Sequence, residues 1–535
     1  MKLVGTVAGV CVAATALAAL AACGGSGGGT GNKAAKSAKV VSGGTFTTAL
    51  SANPGNLDPQ MSASSSTLQL AGYAYDTLIH IDQKGQLGAQ LASAWKVSGT
   101  TVTFTLRPAI TCADGSPFTA AEAAANLNYV TNPKNKSPLT GAFAPPGATA
   151  TASGSIVTLK LAAPSPFVLQ GLSGVPMVCK AGLANRKTLA NKTDGTGLFK
   201  LTDNVASDHI TYTKRAGYAW GPAGVTSKTP GLPDKVNIKF VSSLTTAANL
   251  LLSGGLTAAT ITGPDTKRLQ GAGLFSADVQ TVQGEMWFNH AKTRPGSDPG
   301  VRKALAQAID FKQLAKVFTS GEGTQGTTFA VAPPVACPGN SVQSALPTGG
   351  LAAAKATLDA AGWKAGSGGT RSKGGKPLAL TFIYDTAGGA SASASAELAA
   401  SVWKKLGATV TMRGQDDTQI TQTALGGAGN YDIAWLPLNV SSPDQLVPFL
   451  TGPSPAAGNN FARISNPAYD TAIAKASKLH GTAGCTDWLA AESELVKSAD
   501  VIPFANGTIR TFGKGAHFAP GFSAIDPTTI RMTAN

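Results

Sequence analysis

Acidic and aromatic side chains are scarce in this 535-residue sequence, and its positive charge is spread along the chain. There are 28 Asp and Glu against 43 Lys and Arg, which gives a formal net charge of +15, and aromatics make up 6% of residues. Proteins that bind nucleic acid cluster their basic residues and place aromatics among them. The densest basic group here is TRSKGGK at 370–376, which is typical of a solvated surface loop. We therefore expect no nucleic-acid partner.

Patterns that mark catalytic, metal or phosphate sites are also missing. GGSGG at 24–28 matches G-x-S-x-G formally, but it lacks the preceding strand and following helix that a nucleophile elbow needs. No G-K-[ST] follows it to make a phosphate-binding loop. The histidines show no metal-ligand spacing; they are His80, His209, His290, His480 and His517. We expect no enzyme activity, no cofactor and no metal.

The apolar run near the start, Val7 to Ala22, is too short for a membrane span, which needs about 20 residues. Lys2, this run and the small residues after it predict a signal peptide over 1–22. Leu20-Ala21-Ala22-Cys23 resembles the bacterial lipobox, in which the cysteine is diacylated and becomes the mature N-terminus. The alternative is an ordinary cleaved signal with an incidental cysteine.

The Gly/Ser-rich stretch 23–44 that follows the lipobox is predicted to be a flexible tether. Lipid on Cys23 would anchor the protein to the membrane without a spanning helix. We therefore expect an extracytoplasmic protein that is lipid-anchored to the cell membrane.

Four cysteines remain after Cys11 in the signal and Cys23 at the lipobox, and none has C-x-x-C spacing. Zinc or a redox dithiol is therefore not favoured. Four cysteines in an exported protein suggest two disulfides, for which three pairings exist. We favour Cys112–Cys179 and Cys337–Cys485, because each bridge then stays inside one candidate domain.

Apolar periodicity predicts a strand-rich first part and alternating helices and strands from about 295. Thr119 and Glu122 form a T-x-x-E capping box that begins a helix over 119–130. Val301, Leu305, Ile309 and Leu314 lie on one face of a helix predicted over 298–318. Further strands are predicted over 43–50, 102–108, 155–167, 209–215, 236–241, 378–385, 408–412 and 431–438. Further helices are predicted over 245–255, 351–363 and 395–407.

Several segments together resemble the solute-binding proteins of peptide- and nickel-type ABC transporters, the bacterial extracellular solute-binding proteins of family 5. In order they are GQLGAQLASAWKVSGTTVTFTLRPAITCADGSPFTAAEAAANL (85–127), GTGLFKL with ITYTKRAGYAWGP (195–222), WFNHAKTRPGSDPGVRKALAQAIDFKQL (287–314), AKATLDAAGW (354–363) and YDIAWLPL (431–438). Their order after a lipobox is more specific than any one of them.

The resemblance implies an α/β fold, a two-lobed periplasmic-binding-protein-like clamp with three domains, whose cleft closes on its ligand by hinge motion. Lobe I would comprise residues 45–72, 197–294 and 504–535. A strand-rich inserted domain would comprise residues 73–196, and lobe II would comprise residues 295–503. Gly195 and Gly197 are expected in a tight turn that only glycine adopts cheaply. Arg302 and Asp310 are expected in structural ion pairs or helix caps.

The ligand-binding residues that the resemblance implies are Trp435, Leu436, Leu438, Asn439, Asn289, Trp287, Met61 and Ser65. In members that bind peptides, a tryptophan at the position of Trp435 is followed three residues later by an aspartate that holds the peptide's amino terminus. Here Leu438 occupies that position, and the next acid is Asp444. Either Asp444 or another residue substitutes, or the ligand carries no free amine there.

The function that the resemblance implies is capture of a peptide or other mid-sized solute and its delivery to ABC permease subunits by a monomeric lipoprotein. A surface sensor or adhesin that uses the same clamp without transport is the alternative.

Overall fold

The structure is a computed structural model that describes residues 39–62, 65–386, 389–415, 417–455, 457–521 and 525–534. The predicted signal peptide, the lipobox Cys23 and most of the predicted tether lie outside these residues. None of the helices within the described ranges has the length and apolar character needed to span a membrane.

The elements are numbered along the chain. Strands β1–β11 are Thr45–Leu50, Ile79–Ile81, Leu87–Ala89, Ala92–Ser98, Thr101–Leu106, Thr149–Ser153, Ile156–Lys160, Phe199–Val205, His209–Lys214, Lys235–Phe240 and Ala258–Ile261. Strands β12–β22 are Phe275–Phe288, Thr324–Gln325, Lys364–Ala365, Arg371–Lys373, Lys376–Pro377, Ala379–Asp385, Thr409–Gln415, Ile433–Trp435, Val501–Gly513, Ala516–His517 and Arg531–Met532. Helices α1–α14 are Ser65–Ala74, Ala120–Thr131, Val168–Leu172, Lys180–Ala184, Leu244–Ser253, Asp265–Gly271, Pro299–Gln307, Phe311–Phe318, Gly350–Ala360, Gly389–Lys405, Asp417–Thr423, Val447–Leu450, Pro467–Ala476 and Cys485–Lys497.

Three larger sheets organise the fold. One has the order β1-β10-β9-β8, in which β1 runs parallel to β10 and the other pairs are antiparallel. A second, β4-β5-β7-β6, is antiparallel throughout. The third has the order β11-β20-β12-β19-β17-β18, with β13 also paired to β20.

Strands β12 and β20 are long and pair with each other from Phe275↔Gly513 to Trp287↔Val501. Ala277 of β12 belongs to one hydrophobic core, whereas Met286 of the same strand belongs to another. The pairing is irregular around Gly284, between the two cores. Because a bulge bends a strand locally, the ladder between the cores is a suitable place for a hinge.

The capping box is confirmed, and several predicted elements are wrong in extent; the strand predicted over 155–167 is β7, which ends at Lys160. Thr119 and Glu122 make both reciprocal contacts at the start of α2. The single helix predicted over 298–318 is two helices, α7 and α8, because Asp310 accepts from the Gln313 N–H (2.9 Å) and begins a new helix. The strand predicted over 431–438 ends at Trp435, since Pro437 has no N–H to continue a ladder.

Both favoured disulfides are formed. Cys112 bonds Cys179, 67 residues apart, and Cys337 bonds Cys485 at the start of α14, 148 residues apart.

The glycines of GTG serve close approach and not the tight turn that the sequence predicts. Neither Gly195 nor Gly197 has a positive φ. A Cβ on Gly197 would lie 2.4 Å from the carbonyl carbon of Ala74, where α1 ends. The Gly197 N–H donates to the Ala74 carbonyl at 2.9 Å, so the absence of a side chain lets two backbones bond directly.

Candidate functional site

Four of the predicted ligand-binding residues lie around one buried carboxylate, Glu285 of β12. The Leu438 N–H donates to Glu285 Oε2 at 2.9 Å, and the Trp287 indole N–H donates to the same oxygen at 3.2 Å. Trp287 also donates to the Leu436 carbonyl at 2.8 Å. These hydrogen bonds attach the loop that follows β19 to strand β12, at Glu285 and at Trp287.

Asn439 completes this attachment next to the irregular pairing. Its Oδ1 accepts from the Val282 N–H (2.8 Å) and its Nδ2 donates to the Val282 carbonyl (3.1 Å). The side-chain amide therefore pairs with the backbone of Val282 as a neighbouring strand would. Both functional atoms of Asn439 are engaged within the protein.

Trp435 lies on the face of the sheet opposite to Glu285 and Trp287. It pairs with Met286 and not with Trp287, and successive residues of a strand point to opposite faces. Its ring packs against Phe382 and Phe504, with centroids 4.8 and 4.7 Å away. Its indole N–H is buried and has no hydrogen-bond partner among the described residues.

Asn289 follows β12 and holds loop backbone together. Its Nδ2 donates to the Tyr431 carbonyl (2.9 Å), and its Oδ1 accepts from the Ala291 N–H (3.0 Å). The residue is buried. These contacts are those of a core asparagine, and its predicted contact with a ligand stays a prediction.

The remaining predicted site residues lie on or near α1. Met61 is half-buried, and its sulfur accepts from the Tyr129 hydroxyl at 3.1 Å. Ser65 begins α1, but its side chain lies outside what the structure describes.

Glu285 is a residue that the sequence analysis missed. It is fully buried, and its Oε1 has no hydrogen-bond partner among the described residues. Burial, which is the main cause, and the nearby charge of Glu492 raise the pKa of Glu285 to about 8. A buried acceptor left unpaired costs about 1–3 kcal/mol. The sequence feature that could have indicated a buried acid is the position of Glu285 within the largely apolar stretch GEMWF (284–288).

Asp444, the acid that the sequence analysis considered as a substitute, is engaged locally. Its Oδ1 accepts from the Ser442 hydroxyl at 2.5 Å, in the turn that begins at Pro443. Burial raises its pKa, and this hydrogen bond opposes the effect. It therefore contributes to the start of a short helical turn.

Arg302 and Asp310 have the structural roles that the sequence predicts. Arg302 forms a buried ion pair with Asp500 (3.0 Å) and donates to the Gly296 carbonyl (2.8 Å). Asp310 is the N-cap of α8.

Open cavities lie away from the Glu285 cluster. One of about 370 Å³ is bordered by Gln69, Asp76, Ser173 and Pro334. Another of about 1010 Å³ is bordered by Arg294, Arg302 and Arg463, among others. None of the eight predicted ligand-binding residues lines either cavity.

Comparison with known proteins covers most of the chain. The model of "Bacterial extracellular solute-binding proteins, family 5 Middle" matches residues 86–460. The periplasmic murein peptide-binding protein MppA of Escherichia coli K12 is 25% identical over 503 residues, 85% of this chain and 87% of MppA.

Two crystal structures show that the fold is shared. The ABC transporter substrate-binding protein CtaP of Listeria monocytogenes has a TM-score of 0.76 at 16% identity, covering 92% of this chain and 100% of CtaP. A substrate-binding protein of Microbacterium hydrocarbonoxydans, complexed with 4-hydroxybenzoate hydrazide, has a TM-score of 0.71 at 22% identity, covering 91% of this chain and 100% of its own.

The chain belongs to the bacterial extracellular solute-binding proteins of family 5: it is a non-enzymatic transport component with a two-lobed periplasmic-binding-protein fold, and it captures a solute between its lobes for delivery to an ABC transporter permease.

Proposed function

We propose that the captured solute is a peptide. The observation that supports this is the similarity to the murein peptide-binding protein, which extends over 85% of this chain and 87% of that relative. Capture needs no covalent chemistry, because a ligand that binds the closed form better shifts the population towards it.

We place the lobes at the boundaries that the sequence suggests. Lobe I comprises residues 45–72, 197–294 and 504–535. The inserted domain comprises residues 73–196, and lobe II comprises residues 295–503. In support, the sheet β4-β5-β7-β6 lies wholly within 73–196. Strand β12 contributes to two hydrophobic cores, through Ala277 to one and through Met286 to the other, as a strand that joins two lobes would.

The peptide proposal is tested by native mass spectrometry of the protein purified from its own host. We expect bound species that, after denaturation and fragmentation, sequence as short peptides. A reproducible non-peptide solute at one per chain would contradict the proposal. We also propose that the protein is a monomer, and the same spectrum tests this. A spectrum dominated by a dimer would contradict it.

We also propose that lipid on Cys23 anchors the protein. Cys23→Ala should prevent lipidation and move the protein from the membrane fraction to the medium, or leave it unprocessed. Cys11→Ala is the matched control, because Cys11 lies inside the predicted signal peptide and its loss should leave anchoring unchanged. Membrane association of the Cys23→Ala protein equal to that of the wild type would refute the anchor.

A further inference from the structure

A cavity of about 1010 Å³ lies at the end of β12 that is remote from the irregular pairing with β20. His290, which follows the end of β12 at Phe288, lines this cavity, and so does Arg302 of α7. The chain advances six residues from Gly284 to His290, which is about 20 Å in an extended strand. The cavity is therefore separate from the part of β12 that passes between the two hydrophobic cores.

The lining of this cavity carries an excess of positive charge, and we call it the basic cavity. Its described lining residues include four cations and one acid, namely Lys292, Arg294, Arg302, Arg463 and Asp500. Asp500 already has a countercharge, because it lies 3.0 Å from the Arg302 guanidinium. Arg294 has only a longer contact of 3.6 Å with Asp432. Positive charge therefore remains on Lys292, Arg294 and Arg463.

Arg463 is the most exposed of the arginines around the basic cavity, and its backbone conformation is unusual. Its side chain forms no ion pair within the described ranges, and its φ is +55°. Such a φ is uncommon for a residue other than glycine. The loop is held by Asn460, whose side chain bonds both the N–H (2.8 Å) and the carbonyl (2.9 Å) of Ile464. A long basic side chain thus stands where glycine would fit more easily, which points to a role for the guanidinium.

Two helices begin at the border of the basic cavity. Helix α7 begins at Pro299 and α13 at Pro467, and both residues line it. Their first N–H groups are capped by Asp298 and Asn466, so the helices contribute the positive ends of their dipoles and not free donors. The charge of Asp298 is paired with Lys373 at 2.8 Å. The helix ends therefore add to the positive potential of the arginines and Lys292.

The charge and the size of the basic cavity favour a phosphate monoester over a simple carboxylate. A phosphate monoester carries a charge of about −1.5 to −2 at pH 7 and has three strong acceptor oxygens. Three cations without a close countercharge match this better than they match a single negative charge. The planar fork of an arginine binds two phosphate oxygens at once. The volume is at the upper end of the range of about 300–1,000 Å³ for small-molecule sites, so it leaves room for the organic part of an ester.

We infer that the basic cavity binds the phosphate group of a phosphate monoester, with Arg463, Arg294 and Lys292 as the donors. The site is distinct from the interlobe cleft, and the inference does not depend on which solute the cleft takes. The monoester is either a soluble molecule or the headgroup of a lipid, and these two sources share the chemistry that the cavity recognises.

The test is isothermal titration calorimetry with glycerol 3-phosphate and, for comparison, acetate. Vesicles of phosphatidylcholine with and without phosphatidic acid represent the lipid source in a sedimentation assay. Arg463→Gly removes the guanidinium and places at a positive φ the residue that adopts it most readily, so the variant should fold as the wild type does. Lys478→Gln is the matched control, because the exposed Lys478 follows the opposite end of α13 and lines none of the cavities described above. Circular dichroism and thermal unfolding check the folding of all three proteins.

We expect one glycerol 3-phosphate to bind per wild-type chain, more tightly than acetate. Arg463→Gly should weaken this binding by about 10- to 100-fold, the range for a lost hydrogen bond between charged groups, and Lys478→Gln should leave it unchanged. Binding to phosphatidic acid vesicles alone, lost in Arg463→Gly, would support the site and identify a lipid as its source. The affinity for a cleft-bound peptide should be equal in Arg463→Gly and wild type.

Nuclear magnetic resonance of protein with isotope-labelled histidine locates the bound ester. Glycerol 3-phosphate should shift the ring signals of His290, which lines the basic cavity, and leave those of His209 in β9 unchanged. His290→Gln identifies the signals.

Four results would overturn the inference. They are no binding of either the soluble ester or the phosphatidic acid vesicles, acetate binding as tight as that of the ester, equal weakening by Arg463→Gly and Lys478→Gln, and binding without a shift of the His290 signals. None of these results bears on peptide capture in the cleft.

Discussion

At the residue scale, a buried acid explains a group of sequence motifs. Asp76 accepts from the Thr196 and Tyr218 hydroxyls, the Trp220 indole N–H and the Gln90 amide, at 2.7 to 3.0 Å. GTG and the Tyr-x-Trp segment after it therefore meet at one carboxyl group. Burial raises the pKa of Asp76, and these hydrogen bonds oppose that effect. The motifs organise the scaffold.

Gly197→Ala should destabilise the protein strongly. The new Cβ would lie 2.4 to 2.7 Å from backbone atoms of Ala74 and Tyr75, which cannot move independently. We expect a loss in the free energy of unfolding at or above the upper end of the range of about 1–3 kcal/mol for overpacking. Chemical denaturation measures it.

Gly217→Ala is the matched control for Gly197→Ala. A Cβ on Gly217 meets nothing within 4 Å, and its φ is not positive, so we expect a change within about 0.5 kcal/mol. Equal stability of the two variants would show that close approach is not the reason for the glycine.

Glu285 should make stability fall as the pH rises. Its pKa is raised from 4.5 to about 8, so between these values the folded chain keeps a proton that the unfolded chain has lost. The contribution of Glu285 to the free energy of unfolding is therefore fully present below pH 4.5 and is lost as the pH rises through about 8. Glu285→Gln cannot ionise and should escape this loss.

Thermal and urea unfolding at pH 5, 7 and 8.5 measure the effect. The stability of Glu285→Gln relative to wild type should increase along this series by at least about 1.4 kcal/mol, which corresponds to one unit of pKa difference. Glu397→Gln, at an exposed position, is the control for the removal of one carboxyl group. A constant difference between Glu285→Gln and wild type would contradict the raised pKa.

At the scale of elements, the sequence predicts best where local chemistry and apolar spacing agree. The helix over 119–130 has both a capping box and an apolar face, and α2 follows it within one residue. Over 298–318 the apolar spacing favours one helix, but Asp310 caps a second. Spacing alone did not reveal this break, because a side-chain cap competes with the preceding helix for the same backbone.

The second helix should depend on its cap. Asp310→Ala removes the acceptor of the Gln313 N–H and should cost about 1 kcal/mol of unfolding free energy. Lys312→Ala, at an exposed position in the same first turn, should change it by less than about 0.5 kcal/mol. Urea denaturation of both variants measures this, and equal effects would argue against the cap.

At the scale of the molecule, the sequence indicates the order of segments but not their contacts. The resemblance correctly implied the family and the fold. Of the eight ligand-binding residues that it implied, Trp287, Leu436 and Leu438 meet beside Glu285, and Asn439 bonds Val282. Trp435 lies on the opposite face of the sheet, and contact of any of them with a ligand stays a prediction. It did not indicate Glu285, because the contact joins residues 153 positions apart and an isolated acid carries no spacing signal.

One contact between distant segments links the proposed inserted domain to lobe II. Phe167 is buried in a cluster with Ala336, Cys337 and Trp488, and its ring centroid lies 6.1 Å from that of Trp488. Beside it, the Gly481 N–H donates to the Pro166 carbonyl at 2.9 Å. If the lobes separate when the clamp opens, this contact exists only in the closed form.

Phe167→Ala should therefore favour the open form. Apparent affinity falls in proportion to the population of the binding-competent state, so we expect the Kd of a bound peptide to rise by about tenfold. Small-angle scattering of the ligand-free variant should show a larger radius of gyration than that of the wild type. Ile156→Ala, at an exposed position of β7, should change neither quantity. A Phe167→Ala protein with wild-type Kd and radius of gyration would show that Phe167 stabilises the fold alone and does not hold the clamp closed.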